Sequence, residues 1–339
     1  MAKKFIIYAP SISETGGSIL LDELLKSASK GDYEFISLSK RNGNTHPWIK
    51  FINARKGFLG RIHSELWLYK NSQPGSIVLC FGNLPPLFKL KGCTMVFLQN
   101  AFFLNKFKYF ENFSFSIFFK KIIFKALTRN IDKVILQSGL MAEIWKQSYP
   151  NIELIVLPIV PAIDCAKFQT NEKCYDFIYV ATGHGYKNHT LLINAWINLA
   201  RNGFFPRLCL VLRATSDAQL IKYIKNIAAE NSLSIIILAD LVHNDVLSVY
   251  GKSKCLIYPS LVESFGLPLV EASLLGLDII ASDLDYVFEV CSPTIVFNPD
   301  CLGSVVRAVC KYMGYKIIGN NYDYINGKDY IAKIIEGKR

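Results

Sequence analysis

The segment 258–272 reads YPSLVESFGLPLVEA, and it indicates the fold class more strongly than any other part of the sequence. The apolar run 255–258 that leads into it is typical of a buried parallel strand. Pro268 suits the first turn of a helix, because the N–H group that proline lacks has no partner there. The segment therefore predicts a strand, a loop that carries Glu263, and a helix with Glu271 about one turn in.

The same alternation of strand and helix runs along the whole chain and favours the α/β class with parallel sheets. The predicted strands are 5–9, 76–81, 94–98, 133–136, 175–180, 207–212, 234–238, 255–258 and 278–281. The predicted helices include 18–25, 188–199 and 268–275. The pattern restarts at 175, after a stretch with two prolines and a polar run that is typical of a linker. We therefore expect two Rossmann-like domains facing a cleft, 1–165 and 166–315, followed by a terminal segment, 316–339.

Composition limits the classes of protein that this chain can belong to. Of 339 residues, 51% are hydrophobic and 19% charged, which excludes intrinsic disorder. The nine cysteines form no CxxC pair and favour reduced thiols in a cytoplasmic protein. No signal peptide is predicted, and no apolar run reaches the ~18 residues of a transmembrane helix.

Positive charge is concentrated in the first half of the chain. Residues 1–165 contain 21 Lys and Arg against 11 Asp and Glu, a net charge of +10. Residues 166–339 contain 17 against 16, a net charge of +1. This asymmetry predicts that the first half meets an anionic partner.

Glu263 and Glu271 enclose a loop suited to an anionic ligand. Gly266 would let the backbone approach a ligand closely, and the N–H groups at a helix start favour an anion. Two carboxylates eight residues apart are weak evidence by themselves, since they could both be solvated. The strand before them and the Ser-Phe-Gly-Leu-Pro sequence between them favour a binding crevice that both glutamates face.

This stretch resembles the Glu-x7-Glu signature of the retaining glycosyltransferases of family 4, which have the GT-B fold. The sequences 276–282, 289–290 and 297–299 are also similar, and the resemblance is strongest over 175–310. It implies that Glu271 binds the nucleotide ribose and that Glu263 contacts the donor sugar near the reacting face. The backbone N–H groups that would hold the sugar or the diphosphate belong to Ser264, Phe265, Gly266 and Leu267.

A second motif, GHGYKN over 183–188, follows the strand 175–180. It begins like the dinucleotide pattern GxGxxG, but Asn188 occupies the third glycine position, which disfavours NAD binding. The resemblance implies instead that Lys187 neutralises the leaving diphosphate; a solvated lysine at a helix start is the alternative. An arginine common in the family is missing before Lys187, and Arg213 or His184 are candidates to replace part of its charge.

Two features of the first half extend the resemblance. Gly16 and Gly17 fall between the first strand and its helix, where the family often has a glycine-rich loop over the donor phosphates; an ordinary turn is the alternative. Gln99 and Asn100 resemble a polar pair on the acceptor side, and a simple loop cap is an equally good interpretation.

No metal or cofactor is predicted. Asp283-Leu284-Asp285 spells the DxD pattern of metal-dependent glycosyltransferases, but Asp285 is more simply a turn or helix-cap residue. The resemblance implies that helix N-termini and cationic side chains stabilise the leaving group. The five histidines show no metal-ligand spacing.

The run 102–129 interleaves aromatic residues with lysines. This pattern is typical of a surface that meets an anionic membrane, and a helix with its aromatic side in the core explains it equally well. Base stacking on nucleic acid is disfavoured, because no nucleic-acid signature accompanies the run.

Together with these features, the resemblance implies a retaining enzyme that transfers a hexose from a UDP- or GDP-sugar to a hydroxyl of a glycan. The acceptor is expected to be a glycan or an oligosaccharide on a polyprenyl diphosphate, in O-antigen-type polysaccharide synthesis at the inner membrane face. The final helix, Asp329–Glu336, is expected to cross back to the first domain. A catalytically silent sugar-nucleotide or glycan-binding relative and, less favoured, an NAD-dependent oxidoreductase remain as alternatives.

Overall fold

The computed structural model describes residues 3–10, 12, 16–29, 31, 33–39, 47–54, 57–100 and 115–315. These residues form two parallel sheets with helices packed against them, which confirms the α/β prediction. Every predicted strand is present, with its ends displaced by no more than two residues. The two sheets are buried on both faces, which is why their strands read as nearly continuous apolar runs.

The first sheet has the order β3-β2-β1-β4-β5-β6-β7 within the described residues. Its strands are β1 (Lys3–Ala9), β2 (Tyr33–Ser39), β3 (Ile49–Asn53), β4 (Ile77–Phe81), β5 (Cys93–Phe97), β6 (Lys133–Leu136) and β7 (Glu153–Val156). Its helices are α1 (Gly16–Lys26), α2 (Gly57–Asn71), α3 (Phe115–Leu127) and α4 (Gly139–Ser148), with a 3-10 turn at Thr128–Asn130. Helix α1 packs on one face of the sheet, and α2, α3 and α4 pack on the other.

The second sheet has the order β10-β9-β8-β11-β12-β13 within the described residues. Its strands are β8 (Tyr175–Val180), β9 (Leu208–Leu212), β10 (Ile235–Ala239), β11 (Ser253–Tyr258), β12 (Asp278–Ser282) and β13 (Ile295–Phe297). Its helices are α5 (Cys165–Phe168), α6 (His189–Arg201), α7 (Ala218–Glu230), α8 (His243–Gly251), α9 (Leu267–Leu274), α10 (Asp285–Val290) and α11 (Leu302–Met313). Phe168 packs into the core of this sheet, so α5 already belongs to the second half.

In each sheet the strand order reverses beside the first strand. In the second sheet β8 and β11 are neighbours, and their loops leave the sheet side by side at its carboxyl edge. In the first sheet β1 and β4 have the same relation. A crevice opens at such a reversal and is where open α/β sheets bind ligands.

The loop after β11 joins the two halves of the molecule. Val262 lies in the core of the first half with Met141 and Trp145. The N–H group of Leu140, at the start of α4, donates to Glu289 Oε1 on α10 at 2.6 Å. The N–H group of Leu261 donates to the carbonyl of Tyr186 at 2.8 Å, so the loop contacts both halves, and the Leu140–Glu289 bond joins the two halves at a second place.

Two predictions need correction or lie outside the structure. Helix α1 begins at Gly16, so Gly16 and Gly17 form its first turn and the prediction of a loop there is wrong. The segment 316–339, with its predicted helix Asp329–Glu336, lies outside the described residues, and the domain boundaries stay predictions. None of the helices in the described ranges is long and apolar enough to cross a membrane.

Candidate functional site

The loop between β11 and α9 takes its shape from Gly266. This residue has φ +87° and ψ 52° and directly precedes the first residue of α9. A Cβ atom at this position would lie 3.1 Å from Leu269 Cδ1. Glycine is therefore favoured here both by the positive φ and by the close packing of Leu269. The N–H groups of Ser264, Phe265 and Gly266 have no hydrogen-bond partner within the described part of the chain. They precede a helix N-terminus, which favours negative charge.

Glu263 and Lys187 meet at the point where the strand order reverses. Lys187 Nζ lies 2.5 Å from Glu263 Oε1, and only 12% and 11% of their side chains are exposed. The hydroxyl of Tyr258 donates to the same Oε1 atom at 2.6 Å. Two residues that were assigned to the donor from separate motifs thus contact each other directly.

Three buried tyrosines fix the backbone and side chains around this ion pair. The hydroxyl of Tyr179 donates to the carbonyl of Lys187 at 2.6 Å, and that of Tyr286 donates to the carbonyl of Ser260 at 2.7 Å. Burial, and then the negative charge of Glu263, raises the pKa of Tyr179, Tyr258 and Tyr286 well above its usual value. All three hydroxyls therefore stay protonated and act as donors at neutral pH.

The turn that carries Lys187 is a short 3-10 helix, Gly185–Lys187, that ends at Asn188. Asn188 has φ +58°, the left-handed conformation, and its Nδ2 donates to the carbonyl of Pro299 at 2.9 Å. Asparagine tolerates this conformation better than most residues. Asn188 therefore ends the turn in a glycine-like conformation and anchors it to the segment after β13.

The ammonium group of Lys187 also lies beside aromatic rings. It is 5.3 Å from the ring centroid of Tyr186 and 5.9 Å from that of Tyr258. Burial, and then the charge of Glu263, raises the pKa of Tyr186 to about 12. His184 is exposed and stacks on Tyr186, with ring centroids 5.5 Å apart.

Glu271 lies in α9 and is almost fully buried. Its Oε1 atom is 2.7 Å from His243 Nε2, at the start of α8. Burial, and then the charge of Glu271, raises the pKa of Tyr250 well above its usual value. Glu271 and Glu263 therefore have separate polar neighbourhoods, and the sequence had no pattern that linked His243 to Glu271.

Arg213 follows β9, as predicted, and is half-buried. Its N–H group donates to Asp217 Oδ2 at 2.9 Å, and its guanidinium has no ion-pair partner within the described residues. The two candidates for the missing arginine charge thus differ: Arg213 offers a guanidinium that pairs with no carboxylate in the described ranges, whereas His184 stacks on an aromatic ring.

Gln99 brings the first half into contact with the loop after β11. The hydroxyl of Ser264 donates to the carbonyl of Gln99 at 2.5 Å, and Ser138 Oγ donates to the carbonyl of Ser264 at 3.1 Å. A Cβ atom on Gly17 would lie 2.5 Å from Gln99 Oε1, so the start of α1 lies close to the end of this flexible side chain. The Nε2 atom of Gln99 is buried and has no partner among the described residues.

Asn83 is a residue that the sequence interpretation missed. It follows β4 in the left-handed conformation, with φ +72°. Its Oδ1 accepts from the N–H groups of Gln99 and Asn100 at 2.6 and 2.8 Å. Asn83 therefore fixes the loop on which the predicted acceptor-side pair lies. The only hint in the sequence is a Gly-Asn pair directly after an apolar strand.

For the aromatic run 102–129, the structure distinguishes between a membrane surface and a helix packed in the core at only some of the residues. Residues 101–114 lie outside the described ranges. Phe124 is fully buried and packs edge-on against Trp145, so the core interpretation holds for this aromatic. Lys125 and Arg129 are exposed. Among the described residues, no group of three or more His, Cys, Asp or Glu side chains could hold a metal ion.

Residues 163–294 match the family model described as Glycosyl transferases group 1. Among solved structures, the chain is similar to the sucrose-phosphate synthase of Thermosynechococcus elongatus, with a TM-score of 0.69, 14% identity, and 92% of this chain and 90% of that chain covered. The chain has the GT-B fold.

Two further solved structures share this fold. The Anabaena protein HepE in complex with UDP and glucose has a TM-score of 0.66 and 14% identity, with 91% and 90% of the two chains covered. WaaG, a glycosyltransferase involved in lipopolysaccharide biosynthesis, has a TM-score of 0.62 and 13% identity, with 92% and 90% covered. A search of curated protein sequences gives no significant match. The second half of the chain thus contains a group 1 glycosyltransferase domain within the GT-B fold.

Proposed function

We propose that this protein transfers a hexose from a nucleotide diphosphate-sugar, UDP- or GDP-linked, to a hydroxyl of a glycan, with retention of configuration. The observation that carries the proposal is the contact between Lys187 and Glu263 at the reversal of strand order, next to the N–H groups before α9. A cation and a row of N–H groups suit a diphosphate, and a carboxylate suits sugar hydroxyls. The similarity to a structure that holds UDP and glucose supports the same class of donor.

Each group has a definable task in such a transfer. Lys187 and the N–H groups of 264–266 would neutralise the charge that develops on the diphosphate as the bond from the sugar carbon to the phosphate oxygen breaks. The acceptor hydroxyl attacks the same face of that carbon, and its proton passes to the departing phosphate oxygen. This scheme needs no nucleophile from the protein. Glu263, held by the hydroxyl of Tyr258, would orient the sugar near the oxocarbenium-like transition state.

Glu271 would bind the ribose. Its Oε1 atom is engaged by His243, and a carboxylate has lone pairs left to accept bonds from ribose hydroxyls. On the other side of the cleft, Gln99 and Asn100 would face the acceptor, since they lie on the first half next to Ser264. Metal independence is part of the proposal, because Lys187 and the helix N-terminus would supply the positive charge.

The acceptor side of the proposal rests on charge and on one similarity. The first half carries the net charge of +10, which suits a phosphate-bearing acceptor such as a lipid-linked oligosaccharide at the inner membrane face. WaaG, which has the same fold, is involved in lipopolysaccharide biosynthesis. We therefore propose a role in the synthesis of a cell-surface polysaccharide.

The proposal is tested by a thermal-shift screen against UDP, GDP, ADP, their hexose conjugates and NAD, with and without EDTA. The stabilising donor is then incubated with lipid-linked and free glycan acceptors, and the anomeric configuration of the product is read by NMR. Stabilisation by one nucleotide-sugar class, unaffected by EDTA, followed by an axial-to-axial or equatorial-to-equatorial transfer, supports a retaining enzyme. Binding without transfer or hydrolysis would favour a silent relative, and stabilisation by NAD alone would favour an oxidoreductase.

A further inference from the structure

Helix α2 exposes apolar residues on its outer side. Leu59 is 79% exposed, and Leu66 and Tyr69 are each 44% exposed. Together with His63 and Lys70 they recur every three or four residues and so lie along one stripe. Leu68 on the opposite side of the helix is fully buried in the core. A surface helix normally presents polar residues outward, so this exposed apolar stripe indicates a binding surface.

The loop between β4 and β5 extends this stripe. Phe88 is 40% exposed, and its ring centroid lies 5.8 Å from that of Tyr69. The loop is bound to α2 and to the turn after α3. Glu65 Oε2 accepts from the N–H group of Leu87 at 3.0 Å, and Asn130 Nδ2 donates to the carbonyl of Leu87 at 3.1 Å. Phe88 therefore follows a residue whose backbone is fixed by two hydrogen bonds, and its side chain is partly exposed.

Helix α3 adds a second exposed apolar site next to this loop. Ile122 and Ile123 are 49% and 42% exposed, whereas Phe124 is buried. Helices α2 and α3 pack on the same face of the first sheet. We call the exposed residues Leu59, Leu66, Tyr69, Phe88, Ile122 and Ile123, with the basic residues among them, the α2–α3 face.

The charge of this face identifies its occupant. Residues 57–92 and 115–130 contain eight Lys and Arg and a single carboxylate, Glu65, which is fully buried. Lys70, Lys91, Lys125 and Arg129 are exposed on these segments, and the nearby carboxylate of Asp132 is paired with Lys89 beside Phe88. The exposed cations of this face therefore outnumber its exposed carboxylates. Two copies of so basic a face would repel each other. Anionic headgroups over an acyl layer satisfy both the cations and the apolar side chains.

We propose that the α2–α3 face binds the surface of an anionic lipid bilayer. This inference deepens the proposed function, because it places the enzyme where a lipid-linked acceptor lies. It adds α2 and the loop at Phe88 to the surface predicted from the sequence run 102–129. No part of the Lys187–Glu263 site contributes to it.

The test is co-sedimentation of the full chain with vesicles of phosphatidylcholine alone and of phosphatidylcholine with phosphatidylglycerol. The wild-type protein is expected to bind the anionic vesicles and to dissociate in about 0.5 M salt. The variant L66S/Y69S/F88S is expected to lose more than tenfold in partition coefficient. The variant K70E/K91E is expected to lose about tenfold or more at low salt. The control is F205S/V242S, which removes two apolar residues of the second half that are more exposed than Leu66, Tyr69 and Phe88, and it should bind like the wild type.

Three results would overturn the inference. One is a protein that stays in the supernatant with anionic vesicles. Another is an equal loss of binding in L66S/Y69S/F88S and in F205S/V242S, with both variants folded by circular dichroism. The third is a dimer in sedimentation velocity that dissociates in L66S/Y69S/F88S, because a second copy would then occupy the face. Vesicle binding requires no donor, acceptor or turnover, so its failure is distinguishable from failure of the proposed glycosyl transfer.

Discussion

Lys187 Nζ lies 2.5 Å from Glu263 Oε1, although the two residues are 76 positions apart and come from loops after different strands. The pair is mostly buried, so each charge has lost most of its water and depends on the other. A diphosphate that binds Lys187 must therefore compete with Glu263. Release of Glu263 toward the sugar would then accompany donor binding, which couples the two ends of the donor in one step.

Tyr258→Phe tests how Glu263 is held. The substitution removes the hydroxyl that donates to Glu263 Oε1 and leaves the packing of the ring intact. We expect kcat to fall by about tenfold to 150-fold, because a charge-assisted hydrogen bond is worth about 1.5–3 kcal/mol, with the donor KM changed less than threefold. The measurement is steady-state kinetics with varied donor.

Tyr286→Phe is the matched control for this prediction. Its hydroxyl is as deeply buried but donates to the carbonyl of Ser260 rather than to Glu263. An equal fall in kcat in both variants would show that general loosening of the site, and not the orientation of Glu263, explains the loss.

Gly266→Ala tests the backbone of the loop before α9. Alanine is strained at φ +87°, and its Cβ would lie 3.1 Å from Leu269 Cδ1. We expect the free energy of unfolding to drop by about 1–2 kcal/mol, and turnover to drop further because the N–H groups shift. Urea denaturation and a transfer assay give the two numbers. Gly31→Ala, with no atom within 4 Å and no positive φ, should behave like the wild type in both.

His189 makes stability depend on pH. Burial lowers its pKa to about 4, against its ordinary 6.5. The unfolded chain therefore binds a proton that the folded chain does not between pH 6.5 and 4, and stability falls as the pH falls through this window. The loss is expected to reach about 3 kcal/mol at pH 4.

The check is urea denaturation between pH 7 and pH 4.5 for the wild type, His189→Gln and His63→Gln. The His189 variant should show a shallower loss of stability with falling pH. His63 is exposed, so its variant should keep the slope of the wild type. A wild-type slope in His189→Gln would contradict the assignment.

Glu271→Ala tests the ribose contact. We expect the donor to bind about fivefold to 150-fold more weakly, which corresponds to the loss of about 1–3 kcal/mol in charge-assisted bonds. Calorimetry with the donor gives the dissociation constant, and Glu230→Gln on the exposed end of α7 is the control. Because Glu271 also binds His243, Glu271→Gln is needed to separate the effect of the charge from that of the packing. If the donor binds Glu271→Ala more weakly but binds Glu271→Gln as tightly as the wild type, the negative charge of Glu271 has no role in donor binding.

The strands could be predicted because parallel strands buried on both faces are continuous apolar runs. Strands β2, β3, β7 and β13 were not predicted. Exposed residues interrupt the buried run in β2 and β3, and β7 and β13 are only four and three residues long. At Gly16 and Gly17 the sequence predicted a loop where the structure has the first turn of α1. A Gly-Gly pair suggests a turn, but here Gly17 lies in a helix close to the Gln99 side chain, a contact that no local pattern reveals.

The sequence placed Glu263 and Lys187 at one site because both follow predicted strands and match a motif. It did not predict that they bind each other, because that depends on the adjacency of β8 and β11. The supporting residues were missed for a related reason. The sequence pattern predicts only that Tyr179 and Tyr258 are strand residues. The structure shows that their hydroxyls donate to the carbonyl of Lys187 and to Glu263 Oε1.

The most direct test of the proposed donor site is calorimetric titration of UDP and GDP into the wild type, Lys187→Met, Glu263→Gln and the control Lys311→Met. We predict that one of the two nucleotides binds the wild type and the control with equal affinity. Lys187→Met should bind at least about tenfold more weakly, because it loses the cation on the diphosphate. Glu263→Gln should bind at least as tightly as the wild type, because it removes the carboxylate that competes for Lys187. Affinity unchanged in Lys187→Met, or no binding of either nucleotide to the wild type, would contradict the account.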